Sequence, residues 1–183
     1  DMLAALCVIE IVPLMLFDLS DATGLDSSVL ASAMRAAHQV RFEYLPIGST
    51  PCSMADAPQE SAQLLAQIDV RWMDAMVGFL TGLGMEQETA EKILIANLDL
   101  KLHCCQLQPR AKSEDDLRNH ATKGGVAERA RMCYDLLLAP IFHEKFAELP
   151  KTLNDEMFFA RCQSIAEEIC RIVAMHSRRL HGG

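Results

Sequence analysis

The chain is short of positive charge. Of its 183 residues, 17 are Lys or Arg against 25 Asp or Glu, a net charge of −8. A protein that grips phosphate backbones needs surplus Lys and Arg, so nucleic acid is excluded as a general partner. Proline and glycine are sparse, seven and nine residues, and no low-complexity tract occurs. Period-two alternation of β-branched residues is almost missing, which leaves little material for a sheet. The seven cysteines are an odd number and contain no Cys-x-x-Cys. Adjacent Cys104 and Cys105 would bridge only with strain. A reduced thiol set follows, and with it a reducing compartment: cytoplasm, organelle matrix or stroma. No Gly-x-Gly-x-x-Gly follows a strand. The nearest match, Gly82-Leu83-Gly84-Met85-Glu86-Gln87, has the wrong last residue and lies between helices, so no dinucleotide fingerprint is present.

What is present is apolar and helix-forming. Half of the residues are hydrophobic, which excludes disorder as the main state. A chain of this length buries about 70% of its unfolded surface and folds without disulfide or metal. Leu, Ala, Met, Glu and Gln dominate, all good helix formers. Residues 2–17 are apolar but interrupted by Glu10 and Pro13. They fall short of the ~20 residues of a spanning helix and lack the basic flank of a signal peptide. They read as a buried segment, with a docking surface as the alternative. A chain that begins at Asp1 reads as a processed or truncated product.

Asp26 or Ser27 caps a helix to about Val40, with Leu30, Met34, Ala37 and Val40 on one side. Residues 41–45 fit a short strand or a helix end. Residues 46–58 hold three prolines, Gly48 and several Ser and Thr, and predict a linker. The spacing then predicts helices over 60–83, 86–107 and 126–138, a short one to His120 opened by a Ser113/Asp116 capping box, an amphipathic piece between Pro140 and Pro150, and a last helix from Thr152 or Asn154. The reading is an all-α bundle of six to eight helices with a short N-terminal apolar segment. Residues 1–58 form that segment and the Pro-rich linker, and residues 59–183 form the helical domain. The apolar stripes exceed what one pair of short helices hides, which predicts a homodimer or a subunit of a larger complex.

The sharpest local feature is Leu117-Arg118-Asn119-His120-Ala121-Thr122-Lys123-Gly124-Gly125-Val126-Ala127-Glu128: helix, glycine pair, helix. Amides at the start of the second helix, beside Lys123, favour an anion such as a carboxylate or phosphate. Thr122, Lys123, Gly124, Gly125 and Val126 are the candidate substrate- or anion-binding residues. An ordinary helix–helix turn with a left-handed glycine cap is the commoner use of such a pair. Other chemistry is thin. His143-Glu144 starts no His-Glu-x-x-His, because residue 147 is Ala. His103, Cys104 and Cys105 are consecutive and splay apart on a helix, so no metal site is expected. Cys105, Cys133, Cys162 and Cys170 fit core thiols better than nucleophiles.

The 117–128 segment resembles the signature of the pyrroline-5-carboxylate reductase family, L-R-x-x-V-x-[ST]-[PK]-G-G-x-T-x. Gly82-Leu83-Gly84-Met85 with Glu88-Thr89-Ala90, and residues 140–146 after the motif, are similar to the same family's helical C-terminal domain. The resemblance covers roughly residues 76–150. It implies a dimerisation domain whose Gly-Gly loop holds a substrate carboxylate, joined to an N-terminal Rossmann domain that binds NAD(P)H. Thr122, Gly124 and Gly125 match loop positions, and Lys123 matches a Pro-or-Lys position. Where the family has a substrate-facing threonine this chain has Ala127, whose methyl group makes no hydrogen bond. The chain itself is expected to hold no cofactor, and without a hydride donor it performs no reduction alone. Two functions follow. One is a non-catalytic structural or interaction protein built on a reductase-like helical domain. The other is the C-terminal part of an NAD(P)H-dependent reductase acting on a cyclic imine or similar small carboxylate. A small-anion binding module using Lys123 and the glycine amides is a third.

Overall fold

The structure is a computed structural model that describes residues 2–48 and 50–182. The helical segments are α1 (Met2–Glu10), α2 (Val12–Thr23), α3 (Ser27–Phe42), α4 (Gln59–Gly82), α5 (Gln87–Leu107), α6 (Arg110–Asn119), α7 (Val126–Cys133), α8 (Ala139–Ala147), α9 (Leu149–Thr152) and α10 (Glu156–His181). A π-helical turn, Tyr134–Leu138, joins α7 to α8. Counting α1–α2 and α7–α8 each as one bent rod gives eight helices among the described residues. No strand occurs among the described residues. The fold is an all-α bundle.

Helix ends follow local chemistry. Asp26 caps α3, accepting from Ser28 N at 2.7 Å, and Glu86 caps α5, accepting from Thr89 N at 3.0 Å. Each satisfies an amide that the first turn leaves without a partner. Residues 41–45 are a helix end: α3 stops where Glu43 turns left-handed at φ +50°. Two expectations fail. Ser113 is no cap but lies buried inside α6, because Pro109 already fixes the entry and its carbonyl takes the amides of Lys112 and Ser113 at 3.0 and 3.1 Å. The helix from Val126 does not end at Leu138. Pro140 has no N–H for the carbonyl four residues back, so the rod widens by one residue, with Ala139 N bonded to Tyr134 O, and continues to Ala147.

The N-terminal apolar stretch lies in the core. Leu14, Met15, Leu16 and Leu19 have no solvent exposure. α1 packs on α10, α7 and α5, and α2 on α8 and α3. The break at Ile11 comes from Pro13 in the first turn of α2. Helical structure nevertheless runs over Met2–Thr23, so the stretch is long and apolar enough to cross a membrane by length and composition, contrary to the length argument from sequence. In this structure 78% of that window is buried inside the protein. It is thus not a free docking surface. The remaining layers are α10 against α4, and α3 against α5 and α4. Trp72, Tyr134, Phe142 and Phe159 are fully enclosed, with Phe142 and Phe146 stacked at 5.0 Å between centroids. One hydrophobic core includes residues from both sides of the Pro-rich stretch.

Candidate functional site

The Gly-Gly loop connects α6 to α7. Gly125 N donates to Thr122 O at 2.8 Å, closing a tight turn. Gly124 is left-handed at φ +74°, and a Cβ on Gly125 would meet Thr122 O at 2.8 Å, so both positions call for glycine. Thr122, Lys123 and Gly124 are exposed, Gly125 is half-buried and Val126 is buried. Two of the loop's amides, those of Gly124 and Gly125, are already occupied. Gly124 N donates to Glu128 Oε2 at 2.6 Å, and Glu128 sits in the first turn of α7. The chain's own carboxylate thus takes the Gly124 amide, while the N-cap of α7, Gly125, makes no side-chain cap hydrogen bond. Gly124 O is 2.8 Å from His176 Nε2 on α10. Ala127 is half-buried beside a cavity of about 190 Å³ shared with Cys7, Glu10, Lys101 and His120. His120 is exposed and lies 3.4 Å from the Asp116 carboxylate.

On the far side of His176 a cleft of about 320 Å³ is lined by Arg129, Ile172, Met175, His176 and Arg179. It is cationic in a chain of net charge −8. Burial pushes the thiols of Cys105, Cys162 and Cys170 up to about 12 and that of Cys7 up to about 11. All seven cysteines are free. Asp115, Asp116 and His120 bring three ligand atoms within 4.8 Å of one another, all exposed to solvent.

The most constructed site is one that sequence reasoning missed. Arg35 on α3 and Asp99 on α5 form an ion pair, Nε to Oδ1 at 2.8 Å, with 0% and 1% of the side chains exposed. Arg35 also donates to Ile47 O at 2.7 Å and Gln106 Oε1 at 2.5 Å, and lies 3.2 Å from His103 Nδ1. Asp99 accepts from Tyr44 OH at 2.9 Å and Ile47 N at 2.6 Å. Burial opposes ionisation of Asp99, but the Arg35, Ile47 and Tyr44 hydrogen bonds outweigh it and hold the carboxyl below its ordinary range. Burial and the neighbouring Asp99 push the Tyr44 phenol well up. The pair clamps both backbone groups of Ile47, and so fixes the course of residues 44–48.

Beside this clamp opens a groove of about 670 Å³. One wall is Arg41, Phe42, Glu43, Tyr44, Leu45 and Ile47; the other is the α5 face from Glu88 to Asp99. Leu45 is 92% exposed, the highest of any large apolar side chain described. No protein family, curated protein or solved structure matches this chain.

Proposed function

We propose that this chain is a non-catalytic interaction protein, a helical subunit that binds protein partners in a larger assembly. The observation that carries this reading is Leu45: almost fully exposed, yet displayed on a loop that a buried ion pair clamps in place. A charge pair in an apolar interior contributes little net stability but fixes geometry. Exposed Leu45 and Ile47 together with the groove beside them form an apolar patch rimmed by charged residues, the kind of surface that marks an interaction site. The occupied Gly124 amide and the methyl group of Ala127 argue against reductase chemistry at this loop. The test is the size of the native particle together with an imine-reduction assay. The expected result is a particle heavier than the 20.3 kDa chain that Leu45→Glu shrinks, and no oxidation of NADPH by the chain with a cyclic imine carboxylate. A native monomer, or turnover by the isolated chain, overturns the reading.

The cleft of Arg129, His176 and Arg179 favours one second reading, a small-anion module beside the Gly-Gly loop. Proline or another simple carboxylate then raises the Tm. No shift at millimolar ligand rejects it.

A further inference from the structure

We propose that the groove between residues 41–47 and α5 receives a cationic amphipathic helix from the partner. This deepens the interaction reading above and rests on it. The first argument is shape. The α5 wall is Glu88, Glu91, Lys92, Ile95, Ala96 and Asp99, spaced at one helical face. At 1.5 Å per residue that face runs about 16 Å, three turns of a second helix laid along it. The chain offers no strand edge among its described residues, so an extended peptide has no ladder to join, whereas a helix needs only apolar seats at i, i+3, i+4 and i+7. Leu45 and Ile47, both exposed, supply those seats, with the half-buried Phe42 and the buried Ile95 behind them.

The second argument is charge, after cancelling what is already paired. Asp99 is neutralised by Arg35, Glu88 by Lys92 at 2.5 Å, and Arg41 by Asp74. Glu43 and Glu91 are left. Glu91 accepts from a neutral donor, Gln87 Nε2, at 2.9 Å. Glu43 is exposed. Two carboxylates thus flank Phe42, Ile47 and Ile95 in a chain of net charge −8. Lys or Arg on the polar side of a docked helix meets them, and an acidic helix is repelled.

The third argument is rigidity. Glu43 is the one described non-glycine residue at positive φ, a conformation that costs a side-chain residue about 1 kcal/mol. Glycine would relieve that cost and lose the carboxylate. With Ile47 clamped at both N and O, little conformational freedom remains in this wall to be lost on binding.

The test is fluorescence anisotropy of the full chain with three labelled peptides of about 14 residues: a Leu/Lys amphipathic helix, a scrambled peptide of the same composition, and the Leu/Glu counterpart. The Leu/Lys helix is expected to bind about tenfold or more tightly than either control. Glu43→Gln with Glu91→Gln should weaken it about threefold to tenfold and flatten its salt dependence. Leu45→Ser should weaken it about tenfold without changing the salt dependence. Glu43 and Leu45 are exposed and Glu91 is half-buried, and circular dichroism checks that the variants fold. Equal binding of the scrambled peptide, indifference to these variants, or no binding of the Leu/Lys helix overturns the cationic-helix assignment. None of those outcomes touches the native particle size, which a failure of the interaction reading would change.

Discussion

Arg35 carries five N–H donors, and Asp99, His103, Gln106 and Ile47 between them supply five acceptor positions. Removing one partner therefore strands the other. Asp99→Ala leaves a buried guanidinium uncompensated and should cost about 3–5 kcal/mol, measured by urea unfolding at neutral pH. The pair also sets a pH dependence. The folded carboxyl lies below its unfolded value of ~3.9, so its stabilisation is fully present above about pH 4. It is lost as pH falls through the depressed folded value. Unfolding free energies between about pH 6 and 2 should fall more steeply for the natural chain than for Asp99→Asn; parallel curves would contradict it. Gly48 guards the same loop. It stands at φ +74°, where a Cβ would lie 3.0 Å from the His103 ring. Gly48→Ala combines left-handed strain with displacement of a ring that faces Arg35, and should lower stability by about 1–2 kcal/mol. An unchanged urea midpoint would show that the loop relaxes freely.

At the scale of elements, the sequence is most readable where a cap and a period coincide. Asp26 and Glu86 mark the starts of α3 and α5 because a carboxylate before an apolar stripe has one economical use, accepting the first-turn amides. Asp26→Ala should therefore cost about 1 kcal/mol. The loss should appear as a lower Tm with secondary structure intact below the transition. What resisted reading was any feature set by a distant partner. Asp99 falls on the apolar face of α5 with Leu94, Leu98 and Leu102, and Arg35 lies one residue beyond Met34. Charged residues at core phase were a usable signal for a buried pair, but the 64-residue separation hides which two meet. The π turn was hidden for another reason. Pro140 reads as a helix stop when taken alone. Here the rod absorbs it because Tyr134, inside the turn, is buried and donates to Asp18 on α2. The Gly-Gly loop shows the limit from the other side: its turn is legible in the glycines, whereas the Glu128 carboxylate on the Gly124 amide is set by how α7 folds back on the loop.

For the whole molecule, the informative stretch is the one that looked like a linker. The described residues of 46–58 have no regular structure, but they are stitched to both neighbours rather than slung between them. Ser53 N donates to Ser32 Oγ at 2.9 Å, Gln106 Nε2 to Pro51 O at 2.6 Å, and Ala57 is buried. The helices before it contribute Leu14, Leu16 and Leu19 to the same core as Trp72 and Ile169 from the helices after it. Two independent folding units would each need a core of their own, and the described residues share one. Unfolding should accordingly be a single cooperative transition, coincident by tryptophan fluorescence and circular dichroism. Leu16→Ala on α2 and Ile169→Ala on α10 each remove fully buried methyl groups and should each cost about 2–5 kcal/mol. Each should shift the whole transition. If Leu16→Ala instead released an early step invisible to Trp72, residues 1–58 would be an appended layer, and the clamped wall of the groove would belong to that layer.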